Sequence, residues 1–307
     1  MSYFPPPPIA ETQIFSRLPD RYRRRGACAW GEANRPHFET DSFLEGPAFD
    51  AEGRLYGTDI PYGRVFRVGE GDDWELVAEY DGWPNGLKFD RDGAAVIADY
   101  KHGLMRLDVA SGKVDPLLTS AGSEGFKGVN DLAFGPDGTI YFTDQGQTGM
   151  HDPTGRVYAL EPSGALRRLL DTGPSPNGIA LHPGGHSLMV AMTRANQVWR
   201  IPLNPSGLIS KVGVFANLHG GMAGPEGLAF SDDGMLFVAH AGVGMVWALD
   251  ALAKPVLGLR SAAGSMPTNL VFGGPGRKQL YITESETGSI LVADVPATVG
   301  AADAERR

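Results

Sequence analysis

Along most of the chain, apolar residues gather in short runs broken by Gly and Asp, and no segment carries the sustained periodicity of a long amphipathic helix. One pattern recurs six times: a polar residue, a small or apolar run, a turn containing Gly, and a second apolar run. The copies read LEGPAFDAEGRLYGTD from Leu44, PNGLKFDRDGAAVIAD from Pro84, VNDLAFGPDGTIYFTD from Val129, PNGIALHPGGHSLMVAMT from Pro176, PEGLAFSDDGMLFVAH from Pro225 and PTNLVFGGPGRKQLYITE from Pro267. Asp92-Gly93, Asp137-Gly138 and Asp233-Gly234 supply the positive-φ position of a hairpin turn, with Glu52-Gly53 and Gly184-Gly185 as looser versions. Third and fourth strands follow in most copies, as in GRVFRV then WELVAEY, or GLMRLD then KVDPLL. The leading polar positions, Glu45, Asn85, Asn130, Asn177, Glu226 and Thr268, are about 40 to 49 residues apart, the period of a four-stranded propeller blade. A single hairpin would mean little. Six at a steady period predict an all-β, six-bladed β-propeller with four-stranded antiparallel blades around a central channel.

The ends of the chain depart from the repeat. The apolar run at residues 11–18, ETQIFSRL, is expected to supply the outer strand of blade six and so close the ring without an open sheet edge. It lies within an N-terminal segment, residues 1–40, whose irregular stretch from Pro19 to Thr40 includes the basic run Arg23 to Arg25 and reads as a solvated connection over one face. The propeller itself is expected over 41–296, with 297–307 as a charged tail, the whole forming one structural domain.

Composition narrows the class. The 307 residues include 42 glycines, about double the usual share, as many tight turns require. A net charge of −9 argues against nucleic acid or an anionic membrane surface as partner. The single cysteine, Cys28, allows no internal disulfide and no thiolate metal cluster. No run approaches the ~20 apolar residues of a membrane span, and the proline-rich start lacks the apolar core of a signal peptide, so a cytoplasmic location is expected.

In a propeller the first strand of each blade lines the channel, so equivalent positions meet at one height. The six leading residues would form a ring of oxygen donors without thiol or imidazole, a set that suits calcium or magnesium best and admits manganese. Two glutamates would balance a divalent cation, and would repel one another without it. Polar channel residues can also hold nothing but water, and Asn before Gly can simply make a turn.

The motifs EGPAFD, VNDLAF, PNGIAL, PEGLAF and the closing PTNLVFGGP with LYIT resemble the SMP-30/gluconolactonase family over about Ser42 to Val295. The resemblance implies a six-bladed propeller with one axial divalent cation, commonly calcium or zinc, that hydrolyses lactones. It further implies that Glu45, Asn177 and Glu226 hold the metal and that Asn130 ligates it or contacts substrate. Glu226 stands where the family usually has Asp. The carboxylate is kept on a longer arm, which displaces the metal or the substrate pocket by about an ångström.

The chemistry expected is opening of a small-molecule lactone. A single axial divalent cation, calcium first and zinc, manganese or magnesium as alternatives, polarises the carbonyl, and a nearby carboxylate activates water. Glu226 is the first candidate for that base and Asp131 the second. His240 is a candidate proton shuttle. Asn130, Asn85, Arg194 and Tyr62 are candidates for substrate contact, with Tyr100 and His151 on neighbouring loops. A phosphotriesterase using the same site, or a propeller that binds without catalysis, remains an alternative at this point.

Overall fold

A computed structural model of the chain, describing residues 5–295, is built almost wholly from strands. Six blade sheets succeed one another along the sequence, five built from a four-stranded antiparallel meander in chain order and the sixth from three consecutive strands completed by one from the N-terminal segment. Their first strands are Leu44–Phe49, Pro84–Phe89, Val129–Phe134, Pro176–Leu181, Gly224–Phe230 and Pro267–Gly273. These contact one another in a closed cycle, the last returning to the first, which makes the molecule a six-bladed propeller with the repeated motifs around its axis.

Apolar residues alternate along the strands, and each blade buries one face against the next. Ala48, Tyr56 and Val65 of blade one, for example, share a core cluster with Leu87, Ile97 and Met105 of blade two. Full burial of each large apolar side chain contributes about 1.5–3 kcal/mol, so the stability is spread around the ring.

Two strands come from the N-terminal segment. Gln13–Arg17 lies antiparallel on Ser289–Asp294 as the outer strand of blade six. Ile9–Glu11 adds in parallel to Pro255–Arg260, giving blade five a fifth strand that the repeat pattern did not announce. The stretch that follows is more ordered than a solvated connection. It holds a 3-10 turn, Asp20–Tyr22, and one short helix, Ala29–Asn34. Arg23 donates to Asp41 and to the Thr287 carbonyl, and Arg24 pairs with Glu79, so the basic run stitches the segment to blades one and six. The proposed tail at 297–307 lies outside the described residues. No helix among the described residues is long and apolar enough to cross a membrane.

Two devices position the channel. Each inner strand breaks its ladder next to the leading polar position, as between Pro84 and Leu87 or Pro176 and Ile179; such bulges re-aim side chains. Hydroxyls at the ends of second strands, or just past them, then tie three of the blades to the next. Thr58 donates to the Asn85 carbonyl, Thr143 to that of Asn177, and Thr193 to that of Pro225. The backbone at the ring is therefore held from the neighbouring blade.

Candidate active site on the propeller axis

A cavity of about 190 Å3 opens at one end of the channel. Five of the six ring positions, Glu45, Asn85, Asn130, Asn177 and Glu226, line it. Thr268 does not. Its hydroxyl donates to the Leu44 carbonyl within a buried Thr/Ser network, so it fastens blade six to blade one.

The ring amides are partly fixed. Asn130 donates through Nδ2 to Gln145 Oε1 at 2.7 Å, and Gln145 donates in turn to Ser175 Oγ at 2.8 Å. That relay commits the Asn130 nitrogen and leaves its oxygen available. Asn85 Oδ1 is buried with no hydrogen-bond partner among the described residues. A buried acceptor left unpaired is costly and usual only where something else is meant to fill it.

The two carboxylates are the most strained electrostatically. Glu45 accepts from its neighbour Gly46 N at 2.8 Å and from Asn269 Nδ2 at 2.8 Å, yet burial pushes its pKa up to about 7. Glu226 is pushed up to about 8, by burial first and then by the charge of Glu45, with Arg194 opposing weakly. Two carboxylates in one buried cavity cannot both ionise cheaply without a cation. Among the described residues no group of three or more His, Cys, Asp or Glu gathers as a metal cluster would. The available set is two carboxylates and several carboxamides, all oxygen donors, and it fits a hard divalent ion.

Beneath the ring lies a second tier formed by the next residue of each inner strand. Four of these are glycines; the others are Asp131 and Asn269. A Cβ on Gly86 would sit 2.4 Å from Asp131 Oδ1, and one on Gly227 would sit 2.3 Å from Asn269 Oδ1, so both side chains lie directly over neighbouring glycines. Asp131 is fully buried and outside the cavity lining. It accepts from Leu132 N and Ile179 N, which joins blades three and four. A carboxylate packed under the ring braces it and does not reach water in the cavity.

His240 is likewise outside the lining. It is buried in the blade wall, where its Nδ1 accepts from Trp247 Nε1 at 3.1 Å, and burial lowers its pKa, keeping it neutral. Tyr62 is turned to the N-terminal segment, its hydroxyl donating to the carbonyls of Arg24 and Thr40, so it does not face substrate space. Arg194 and Tyr100 do line the cavity, whereas His151 does not. The carboxylates at the ends of second strands act as loop caps: Asp59 accepts from Phe43 N, Asp144 from Gly128 N and Glu284 from Met266 N.

The repeat could not reveal the rest of the wall. Trp30, Arg35 and Phe43 come from the segment that precedes the first blade, and Trp30 and Phe43 pack with ring centroids 4.7 Å apart. No period marks them. Gln145 had a weak signal, a polar residue just after the blade-three strand end. Asn269 sits one residue beyond the position where the repeat directs attention.

A six-bladed propeller whose channel carries a carboxylate–carboxamide floor defines the class: a β-propeller with an axial oxygen-donor site. A sequence model of the SMP-30/Gluconolactonase/LRE-like region matches residues 43–286, and the chain belongs to that family. It is 30% identical over 220 residues to a gluconolactonase of Zymomonas mobilis, a match covering 66% of this chain and 60%, less than two thirds, of that protein. It is 27% identical over 270 residues to the lactonase drp35 of Staphylococcus epidermidis, covering 81% and 82%. Among solved structures, a gluconolactonase of Xanthomonas campestris superposes with a TM-score of 0.73 at 21% identity, covering 94% of this chain and 99% of that one. The calcium-binding protein regucalcin of Agrobacterium tumefaciens superposes with a TM-score of 0.69 at 22% identity, covering 82% and 90%.

Proposed function

We propose that the protein is a metal-dependent hydrolase that opens the ring of a small-molecule lactone. Family membership and the lactonases among its relatives support the reaction class. The meeting of two carboxylates, Glu45 and Glu226, with the carboxamides of Asn85, Asn130 and Asn177 in one cavity is the single observation that supports a bound cation.

Glu45, Asn130, Asn177 and Glu226 would hold the ion, calcium first by its preference for oxygen donors. When bound it would supply a Lewis acid that polarises the ester carbonyl. Both carboxylates would then ionise, since an opposite charge nearby favours the anion. Glu226 is the general base of this reading: it accepts a proton of the water that attacks the carbonyl carbon and returns it to the alkoxide oxygen released as the ring C–O bond breaks, with Arg194 close enough to influence it. Asn85 Oδ1, unpaired in the cavity wall, accepts a hydrogen bond from substrate. Asn269 orients Glu45, and Asp131 braces the tier below.

A panel of lactones, aryl esters and phosphotriesters, assayed with the purified protein, tests the reading. Lactones are expected to turn over fastest. A phosphotriester preferred over every lactone, or no ester hydrolysis at all, would overturn it.

A further inference from the structure

The cavity carries only four charged side chains among the described residues: Glu45 and Glu226 on its floor, and Arg35 and Arg194 in its wall. The other lining groups are amides, hydroxyls and apolar side chains. Once a dication offsets the two glutamates, the two guanidiniums leave the cavity net positive. Neither forms an ion pair among the described residues. Arg194 donates through Nη1 to a neutral acceptor, the Met222 carbonyl, at 3.2 Å. Arg35 stacks over the rings of Phe38 and Phe43, at 5.2 and 5.6 Å from their centroids. The carboxylate whose charge reaches Arg35 is Glu286, which is already held by Ser265 N and Oγ.

Stacking holds a guanidinium plane while leaving its N–H edge free, and that edge matches a carboxylate in a two-pronged contact. Two guanidiniums, neither of them ion-paired among the described residues, facing a site that has no negative charge to spare, would be a repulsive arrangement for a cationic ligand and a weak one for a neutral ligand. Resting on the lactonase reading, we propose that Arg35 and Arg194 are specificity-determining residues and that the substrate is a lactone bearing a carboxylate beside the ester to be opened. The same groups could instead attract only the carboxylate created when the ring opens, and the test separates the two.

The measurement is the ratio of kcat/KM for a γ-lactone carrying a ring carboxylate to that for the same ring carrying a carboxamide. The wild-type enzyme is expected to favour the acid by about ten-fold or more, less so at high salt, because half-exposed charge contacts are screened. Arg194→Gln and Arg35→Gln should each lower the ratio about five-fold, with Arg194→Lys retaining part of it. A wild-type ratio near one overturns the proposal. So does an equal loss for both substrates in the variants, which would assign the arginines to the product carboxylate. Calorimetry with pyroglutamate and its amide, lactams of the same shape, reads the preference without turnover. If no lactone is hydrolysed while the acid lactam binds more tightly than the amide, the lactonase reading fails and the anion site stands. Equal binding of the two lactams removes the site.

Discussion

Two adjacent tiers of the same channel, one residue apart in each inner strand, are built on opposite terms. The upper tier gathers Glu45, Asn85, Asn130, Asn177 and Glu226 around a cavity and leaves it partly unsatisfied: Asn85 Oδ1 has no partner among the described residues, and both glutamates are pushed toward neutrality. The lower tier removes four side chains altogether and satisfies the two it keeps, Asp131 through Leu132 N and Ile179 N, and Asn269 through Glu45 and Leu270 N. Between these two tiers, the buried side chains outside the cavity are paired, while the cavity floor keeps an acceptor that no described residue fills. The contrast separates a carboxylate that can meet water from one that cannot, although both lie on the axis and both have raised pKa values.

The largest expected effect belongs to the upper tier. Glu226→Gln should lower kcat/KM by about 100-fold or more while far-ultraviolet circular dichroism and the melting transition stay near wild type. Activity within a few-fold of wild type would return the base assignment to another group.

In the lower tier, Gly178→Ala should destabilise the fold by about 1–3 kcal/mol in denaturant unfolding. A Cβ there would lie 2.1 Å from the Glu226 carbonyl, a backbone atom that cannot swing aside. An unchanged unfolding midpoint would mean that the tiers are looser than the close approach requires.

Asn269→Leu breaks the link between tiers. Losing the Asn269–Glu45 hydrogen bond should weaken divalent-metal affinity by about 10-fold or more, the usual cost of removing a group that orients a ligand. Direct titration with calcium would show it, and an unaltered dissociation constant would leave Asn269 a packing residue.

The pH dependence of the metal-free protein is a subtler test. Glu45 and Glu226 bind protons more tightly in the folded chain than in the unfolded one. Their contribution to stability is therefore complete below the unfolded value of 4.5 and is lost as pH climbs through about 7 and 8. The Tm of the metal-free protein should fall across that window, and saturating metal should reverse the trend. A metal-free Tm that rises with pH there would contradict the buried pair. The smallest effect is predicted for His240→Gln, less than about three-fold in kcat/KM, because the ring is tied to Trp247 outside the cavity.

The fold was legible because a propeller writes itself as a repeat. Turn chemistry and the 40-to-49-residue spacing name the blades, and the leading polar residue of each copy marks the ring height. Five of those six positions meet in the cavity. What the repeat could not convey is which way a bulged strand turns its side chains. Thr268 occupies the aligned position yet bonds to blade one, while its neighbour Asn269 reaches Glu45. Asp131, beside Asn130 and the second candidate for the base, lies one tier down, against Gly86 and bonded to Leu132 N and Ile179 N. The wall formed by Trp30, Arg35 and Phe43 was illegible for another reason. It precedes the first blade, belongs to no period, and is brought to the cavity by the same segment that supplies the outer strand of blade six.

On the proposed reading, one divalent cation held by the upper tier is needed for lactone opening. The most direct measurement is hydrolysis followed while calcium is titrated into protein stripped by chelator, with metal content determined in parallel. No turnover is expected in the stripped protein, with activity that rises to a plateau at one equivalent per chain. Full turnover by protein verified to be metal-free would contradict it.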